Sequence, residues 1–292
     1  MGSADVVPGV SGGTMAFILG VYYDLITAIR SFDAVWLKAL FRLDLKQAVS
    51  RPNLPFLIPL FSGIVCALLV FTRVIPLPEL LHIYPEPIYG LFFGLIASSI
   101  FILMGEMDHF SVYQWLFLIA GAVAGWFVFN LIPVETPDAA WFIFLAGALS
   151  ICAMLLPGIS GSFVLLMLNK YSYIFNAIGY FKFSILIPFA LGAVTGLLSF
   201  SRLLSFLLLH YYKQTVTFII GLLIASLWVI WPFQERIYAT VGGAKKLIHT
   251  VPRLPAEMDV MVLLALVLAV TGMAVVLVIH SLAKPGNRAI RN

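Results

Sequence analysis

The sequence predicts an all-α polytopic membrane protein that is built from two repeats of inverted topology, and three observations lead to this prediction. Hydrophobic residues make up 62% of the 292 residues and charged residues only 10%, so the apolar surface exceeds what a soluble fold of this length could bury. A Pro-Gly-x-Ser-Gly motif occurs at Pro8–Gly12 and returns at Pro157–Gly161. Further matches between the two halves accompany the two copies of the motif.

Six apolar stretches are long enough to cross the roughly 30 Å hydrocarbon core of a bilayer. They lie at about 55–76, 87–104, 112–133, 183–209, 215–232 and 258–281. Two shorter stretches, 14–30 and 161–178, each follow one copy of the motif. Because 141–156 leads directly into the second copy, we expect 141–178 to form a broken or re-entrant helical hairpin. Whether this hairpin crosses the membrane completely stays open.

The chain is expected to divide into a first repeat at 1–133 and a second repeat at 134–292. The first hairpin is expected to be truncated, because only seven residues precede Pro8. At 33–49, basic residues recur on one helical face and apolar residues on another, which is typical of an interfacial helix in the headgroup region. A solvated cytoplasmic helix is the alternative. Residues 234–257 are expected to form a partly ordered loop.

Sequence identity between the halves extends beyond the motif. Residues 8–29 match 157–178 at eight of 22 positions, and 57–75 match 186–204 at nine of 19 positions. Leucine-rich composition raises the number of chance matches but does not explain paired Pro, Gly and Arg. Placing the basic residues of 30–51 in the cytoplasm gives the two repeats opposite orientations. Inverted repeats with central breaks are the architecture of alternating-access transporters.

The motif has a chemical interpretation. Proline and glycine break the membrane helix, and serine is a good N-cap, so each copy starts a helix whose free N–H groups favour an anion. Pro-Gly as a simple hinge is the alternative for a single copy. Hydroxyl groups on both sides add donors, and the candidate binding residues are Ser11, Gly12, Gly13, Thr14, Ser160, Gly161 and Ser162.

Two paired arginines and two acids complete the candidate site. Arg73 and Arg202 occupy equivalent positions of the repeats, and a guanidinium binds phosphate through two hydrogen bonds. We expect both arginines to line one pocket with the motif serines, although Arg73 could also reach the membrane surface from the end of its span. Asp5 and Asp24 are the candidates for coupling to a proton or a sodium ion, and neither has an acidic counterpart in the second repeat.

A family resemblance rests on these same residues. The segments 4–14 (ADVVPGVSGGT) and 156–163 (LPGISGSF) resemble the paired signatures of the PopT polyprenyl-phosphate transporter family, and the similarity covers nearly the whole chain. It implies a prokaryotic, multi-pass plasma-membrane protein. Such a flippase returns undecaprenyl phosphate to the inner leaflet for reuse in cell-envelope synthesis, by alternating access around a mid-membrane phosphate site. The chain departs from the family pattern in lacking a full segment before the first motif.

Two other functional classes are weighed against this one. A secondary transporter of a small soluble anion would use the same kind of site, and it stays the alternative. A membrane phosphatase would need a nucleophile or a base beside the arginines, and the five histidines lie near span ends or in loops. We therefore expect no enzyme activity, no cofactor, no metal and no nucleic-acid binding. The expected partners are a polyprenyl-phosphate lipid and the membrane lipids, and the oligomeric state stays open.

Overall fold

The chain is predominantly helical in a computed structural model that describes residues 1–5, 11–75, 77–107, 110–131, 133–241, 244–255 and 257–283. Positions 8–10 of the first motif lie outside the described residues. The helices are α1 (Gly2–Asp5), α2 (Gly12–Ile18), α3 (Tyr22–Arg30), α4 (Ala34–Phe41), α5 (Leu45–Ser50), α6 (Leu54–Leu69), α7 (Leu77–Ile83), α8 (Pro85–Gly105), α9 (Val112–Phe129), α10 (Ala140–Leu155), α11 (Gly161–Met167), α12 (Tyr171–Gly179), α13 (Phe183–His210), α14 (Tyr212–Val229) and α15 (Val260–Ala283). Strands β1 (Gln234–Val241) and β2 (Ala244–Pro252) lie between α14 and α15.

Within the described ranges, five helices are long and apolar enough to cross a membrane, namely α8, α9, α13, α14 and α15, and there are six spans if the bent pair α2–α3 counts as one. They confirm five of the six full spans that hydropathy predicts. The sixth predicted span, 55–76, forms α6, which has 16 residues and continues as a π-helical turn at Val70–Val74. Helix α10 is likewise a shorter apolar helix. The chain is thus a multi-pass membrane protein.

The long helices pack in pairs whose backbones come into direct contact. Helix α8 lies along α15, α9 along α14, and α10 along α13. Glycine makes each contact possible, because a Cβ added there would overlap a carbonyl oxygen of the facing helix. This holds for Gly94 against Ala269, Gly221 against Leu118, and Gly192 against Phe144. Small residues allow such close approach in membrane helix pairs.

Helix α14 forms the centre of the bundle. Its residues Ile219, Ile220 and Leu223 are almost completely buried, and they belong to a core cluster that also includes Ile26 and Ile96. The other long helices expose most of their apolar side chains, as helices that face lipid do. The break between α10 and α11 packs on this central helix, because Gly158 lies against the backbone of Leu222.

The segments that follow the two motifs have matching secondary structure. Helices α2 and α11 begin at Gly12 and Gly161 and have seven residues each, and α3 and α12 begin at Tyr22 and Tyr171 and have nine each. Between α2 and α3 the axis turns by 119°, next to Gly20, whose φ of +71° favours glycine. The stretch predicted at 14–30 is therefore a sharply bent helix pair, and its bend lies about eight residues after the first motif.

The basic linker at 30–51 contains two short helices rather than the single helix predicted at about 33–49. Helix α4 ends before Leu43, which adopts a φ of +56°. The Asp44 side chain then caps α5 by accepting a hydrogen bond from the Gln47 N–H at 3.1 Å. A capping side chain next to a left-handed residue stops one helix and starts another, and hydropathy periodicity does not detect this.

A second departure lies between α14 and α15, where the sequence predicts a partly ordered loop and an entirely helical fold. Strands β1 and β2 pair antiparallel, from Gln234 opposite Pro252 to Val241 opposite Ala244. Arg253 forms an ion pair with Glu235 at the open end of this hairpin. The sequence of 244–251 contains β-branched residues that favour a strand, although its charges resemble those of a polar loop.

A buried lysine fastens the segment before α10 to the start of α12. Lys170 is 3% exposed, and its Nζ donates to the Thr136 carbonyl oxygen at 2.8 Å and forms an ion pair with Asp138. The Thr136 hydroxyl donates to the Leu168 carbonyl oxygen at 2.5 Å. The two sides of the second hairpin are therefore joined at the end away from the motif.

Candidate functional site

The N-terminus of α2 is closed by side chains from its own half of the chain. Ser11 has the extended backbone of an N-cap and accepts a hydrogen bond from the Gly13 N–H at 3.1 Å. The Asp5 carboxylate accepts one from the Gly12 N–H at 2.8 Å. A Cβ on Gly12 would stand 2.6 Å from this carboxylate. At the first motif, an acidic side chain thus occupies the position where an external anion is expected.

Thr14 links the first motif to the second. Its Oγ1 accepts a hydrogen bond from the Gly158 N–H at 2.7 Å, and the residue is fully buried. Gly158 has a φ of +94°, a conformation that glycine adopts without strain. The N–H lies in the break between α10 and α11, where no helical carbonyl is available to it. Thr14 supplies the acceptor that the break removes.

Two further side chains of the first half bind the end of α10. The Tyr22 hydroxyl donates to the Leu155 carbonyl oxygen at 2.7 Å, and Tyr22 is buried. The Ser11 hydroxyl is directed at the Met154 carbonyl oxygen at 3.5 Å. The last carbonyls of a helix have no intrahelical partners, so these hydroxyls satisfy groups that would otherwise be left bare in an apolar environment.

The second motif is more open than the first. Ser160 is the N-cap of α11 with an extended backbone, but its side chain accepts no hydrogen bond from that helix. The Ser160 and Ser162 hydroxyl oxygens lie 2.7 Å apart, and both residues are half-buried. In the described part of the chain, neither hydroxyl has another hydrogen-bond partner. Gly161 is buried, and a Cβ there would stand 2.7 Å from the Ser150 carbonyl oxygen.

The two arginines lie at opposite ends of the bundle and not in one pocket. Arg202 shares a cleft with Asp33, and Asp33 is bound by Arg51, three residues before α6 begins. Arg73 lies in the π-helical turn at the far end of α6, roughly 29 Å from Leu54 at 1.5 Å per residue. Both arginines are exposed, and among the described residues neither makes a hydrogen bond or an ion pair.

The remaining candidate residue, Asp24, lies in the first turn of α3 and is exposed. Among the described residues the structure therefore brings Asp5, Ser11, Gly12, Gly13 and Thr14 together with the second motif and leaves Asp24, Arg73 and Arg202 elsewhere. Tyr22, which bonds to the end of α10, and Arg30, which bonds to Ser205, are two residues that the candidate list left out. The identity of Tyr22 and Tyr171 at matching positions of the two halves could have drawn attention to Tyr22. Arg30 offers no such signal, because Gly179 stands at its matching position.

The cleft near Arg202 has a volume of about 280 Å³ and is lined by Arg30, Asp33, Arg202, Phe206, Leu209 and His210. The Arg30 Nη1 donates to the Ser205 hydroxyl at 3.0 Å. Asp33 lies outside the spanning helices, and its hydrogen bonds from the Arg51 guanidinium hold the pKa of that carboxyl well below its usual range. The carboxylate is therefore ionised and fully paired.

Comparison with known proteins gives concordant matches. A family model described as undecaprenyl phosphate translocase-like matches residues 1–248. A polyprenyl-phosphate transporter of Vibrio cholerae is 38% identical over 97% of this chain and 94% of its own length. A polyprenyl-phosphate transporter of Staphylococcus aureus is 29% identical over 80% of this chain and 83% of its own length. No solved structure matches the chain significantly.

Proposed function

Since the chain belongs to the undecaprenyl phosphate translocase-like family, we propose that it transports undecaprenyl phosphate across the prokaryotic plasma membrane. The lipid carrier returns from the outer to the inner leaflet, where cell-envelope synthesis uses it again. The family is one of transporters and not of enzymes. The protein binds the phosphate headgroup and leaves the polyprenyl tail in lipid, so the only group that must cross the hydrocarbon core in a protein environment is the phosphate.

The observation that carries this proposal is the open second motif. Ser160 and Ser162 present two hydroxyls that bond only to each other among the described residues, at the start of a helix within the bundle. An oxyanion accepts hydrogen bonds from hydroxyl and backbone N–H donors, and such a site costs little to form where the donors already converge. We place the headgroup here, with Gly161 allowing the start of α11 to pack closely against the Ser150 carbonyl oxygen of α10.

The first motif has a different part in the proposed site. Asp5 already accepts the Gly12 N–H, so a phosphate that approached α2 would have to displace a carboxylate or meet it in protonated form. Ser11, Gly13 and Thr14 shape the wall of the site by holding the second motif in place. Asp5 is then the better of the two coupling candidates, because a proton on its carboxyl would remove the charge that repels the headgroup.

Matching helices support alternating access between two inverted repeats. Helices α6 and α13 begin at Leu54 and Phe183, each three residues before its block of aligned sequence. Each of the pairs α8–α15 and α9–α14 joins one helix of the first half to one helix of the second. In alternating access, each of two repeats with opposite orientation takes up the conformation that the other one had. The site then opens to the other leaflet. Arg73 and Arg202 then belong to the two ends of the path and not to its middle.

The test is a flipping assay in proteoliposomes with a fluorescent polyprenyl phosphate whose outer-leaflet fraction is quenched. We expect the variant with Ser160→Ala and Ser162→Ala to lose most of its transport while it keeps the wild-type melting temperature. The control carries Ser172→Ala and Ser184→Ala, which change two exposed serines of the same half. Transport at the wild-type rate in the motif variant would contradict the proposed site.

A binding measurement in nanodiscs separates the lipid from a soluble anion. Undecaprenol and inorganic phosphate serve as competitors of undecaprenyl phosphate. We expect neither to compete well alone, because binding needs the phosphate and the membrane-held tail in one molecule. If inorganic phosphate competed on equal terms with the lipid, the protein would instead be a secondary transporter of a soluble anion.

A further inference from the structure

We propose that Arg30 and Arg202 form a second phosphate-binding site, separate from the motifs, at the end of the bundle where α3 and α13 terminate. It takes a phosphate monoester, and the apolar side chains beside it suit the headgroup of a phosphorylated lipid at the membrane surface. The identity of that lipid rests on the proposed function. The anion chemistry of the cleft rests on its own residues.

Two guanidinium groups face the same cleft. Arg30 is held in place by one hydrogen bond from Nη1 to the buried Ser205 hydroxyl, which leaves the other N–H groups of its fork available. Arg202 is exposed and makes no hydrogen bond or ion pair within the described residues. Paired arginine forks match the oxygens of a phosphate, each with two parallel hydrogen bonds.

The acid in the cleft does not neutralise these arginines. The Asp33 carboxylate accepts hydrogen bonds from the Val35 and Trp36 N–H groups at 3.0 and 2.9 Å, as the N-cap of α4. It also receives Arg51 through Nε at 2.9 Å and Nη2 at 2.5 Å. Its Oδ1 accepts three of these hydrogen bonds and its Oδ2 accepts one. Its charge is balanced by Arg51, so the positive charge of Arg30 and Arg202 remains for an anion.

The rest of the lining is largely apolar and suits a lipid. Phe206 and Leu209 are about half exposed beside the arginines, and the His210 ring stacks on Phe206 with its Nδ1 3.0 Å from the Phe206 carbonyl oxygen. A polyprenyl chain could lie along this surface while its phosphate meets the two guanidinium groups.

The depth of the cleft places it at the edge of the hydrocarbon core. Arg202 lies roughly 29 Å along α13 from Phe183 at 1.5 Å per residue, and the core of a bilayer is about 30 Å thick. The linker with α4 and α5, which begins beside the cleft, carries the basic residues that the positive-inside rule assigns to the cytoplasm. The site therefore holds a headgroup at the cytoplasmic leaflet, before or after passage through the centre.

The experiment measures binding of undecaprenyl phosphate to the full chain in nanodiscs, and of inorganic phosphate to the same samples. Arg30→Gln and Arg202→Gln are each expected to weaken binding of the lipid about tenfold, since each removes charge-assisted hydrogen bonds. Arg202→Lys, which keeps the charge but not the fork, is expected to lie between wild type and Arg202→Gln. Arg42→Gln, an exposed arginine outside the cleft, is the matched control and should bind as the wild type does.

The outcomes separate this site from the proposed function. Loss of lipid binding in the cleft variants, with Arg42→Gln unaffected and inorganic phosphate a poor competitor, supports a lipid headgroup site. If the wild type bound inorganic phosphate alone and the cleft variants lost it, the cleft would stand as an anion site while the proposed lipid transport failed. Wild-type binding in the variant with both Arg30→Gln and Arg202→Gln, together with lost binding in the Ser160→Ala, Ser162→Ala variant, would overturn the cleft and leave the proposed function intact.

Discussion

Hydroxyl groups from the first half of the chain satisfy backbone groups that the break between α10 and α11 exposes. Thr14 accepts the Gly158 N–H, and Tyr22 donates to the Leu155 carbonyl oxygen. In an apolar surrounding, a backbone group without a partner is costly. These bonds make the irregular backbone of the second motif tolerable, and they hold Ser160 and Ser162 in position.

The Thr14 bond can be tested by an isosteric change. We expect Thr14→Val to lower the free energy of unfolding by about 1–2 kcal/mol, because it leaves the buried Gly158 N–H without an acceptor. Thr14→Ser keeps the hydroxyl and should cost less. The measurement is thermal unfolding in detergent for both variants. Equal melting temperatures for Thr14→Val and the wild type would contradict the role of this bond.

The Tyr22 bond offers a control at the matching position of the second half. Tyr22→Phe is expected to destabilise the protein by about 1 kcal/mol, because the Leu155 carbonyl oxygen loses its donor. Tyr171 packs its ring against Phe175, and its hydroxyl makes no hydrogen bond within the described residues. Tyr171→Phe should therefore leave the melting temperature nearly unchanged. A loss of the same size in both variants would show that the hydroxyl bond is not the cause.

For single residues, the sequence draws attention to Ser11 and Thr14 but does not predict their distant contacts. Ser11 stands out because the motif is repeated, Thr14 follows the motif as a further hydroxyl, and helix capping predicts the Ser11 bond to Gly13. The sequence cannot reveal that Thr14 binds Gly158, more than 140 residues away, because periodicity and capping report only neighbours along the chain. For the same reason Arg73 and Arg202 were expected together although the fold separates them.

Glycine contacts define how the helices associate. The pairs α8–α15, α9–α14 and α10–α13 each approach until backbone meets backbone. Helix α6 differs, because nothing described lies within 4 Å of a Cβ added to Gly63. Gly63 and Gly192 occupy matching positions in the aligned sequence. Gly192 packs against the backbone of a facing helix, whereas Gly63 faces open space in the described part of the chain.

This difference predicts opposite effects of one substitution at two matching positions. Gly192→Ala would push α13 away from the Phe144 carbonyl oxygen and is expected to cost about 1–3 kcal/mol. Gly63→Ala meets open space and should be neutral or slightly stabilising, because alanine favours a helix over glycine. Unfolding of both variants in the same detergent gives the comparison. A destabilised Gly63→Ala would mean that another surface covers this face of α6.

Helices and strands were predictable where the hydropathy of a segment alone determines its secondary structure. The long apolar runs gave the spanning helices within a few residues, because every backbone group in lipid must be bonded within its own segment. The linker and the β1–β2 hairpin were not predictable in this way. In water, one capping aspartate or one leucine with a positive φ decides whether a helix continues. A hydropathy value averaged over many residues does not detect the effect of a single residue.

On the scale of the whole molecule, the helices alternate between two ends. The linker with α4 and α5 precedes α6, and the chain passes along α6, α8 and α9 before it reaches the segment that is bound to Lys170. If α6 with its π-helical continuation is counted as the full span that the sequence predicts, three passes separate these two segments, and we expect them on opposite sides of the membrane. The cleft of Arg30 and Arg202 lies at the first end, and Arg73 lies at the other.

Cysteine labelling of intact cells tests this arrangement. In a background with Cys66→Ala and Cys152→Ala, we expect Glu135→Cys to react with a membrane-impermeant maleimide. Ser50→Cys should react only after the cells are permeabilised, because the basic linker is assigned to the cytoplasm. Both positions are exposed. Reaction of both cysteines from the same side would refute the odd number of passes between them.

The bonds from Thr14 and Tyr22 to the second motif also bear on how the chain is made. Synthesis proceeds from the N-terminus, and early segments fold first. The hydroxyls of Thr14 and Tyr22 are thus already in the bilayer when the ribosome delivers Leu155 and Gly158. A second half produced alone would enter lipid with these backbone groups bare. The order of translation therefore supplies the Thr14 and Tyr22 hydroxyls before Leu155 and Gly158 need them. We expect the second half to fold poorly when it is expressed by itself, and co-expression with the separate first half to restore its folding.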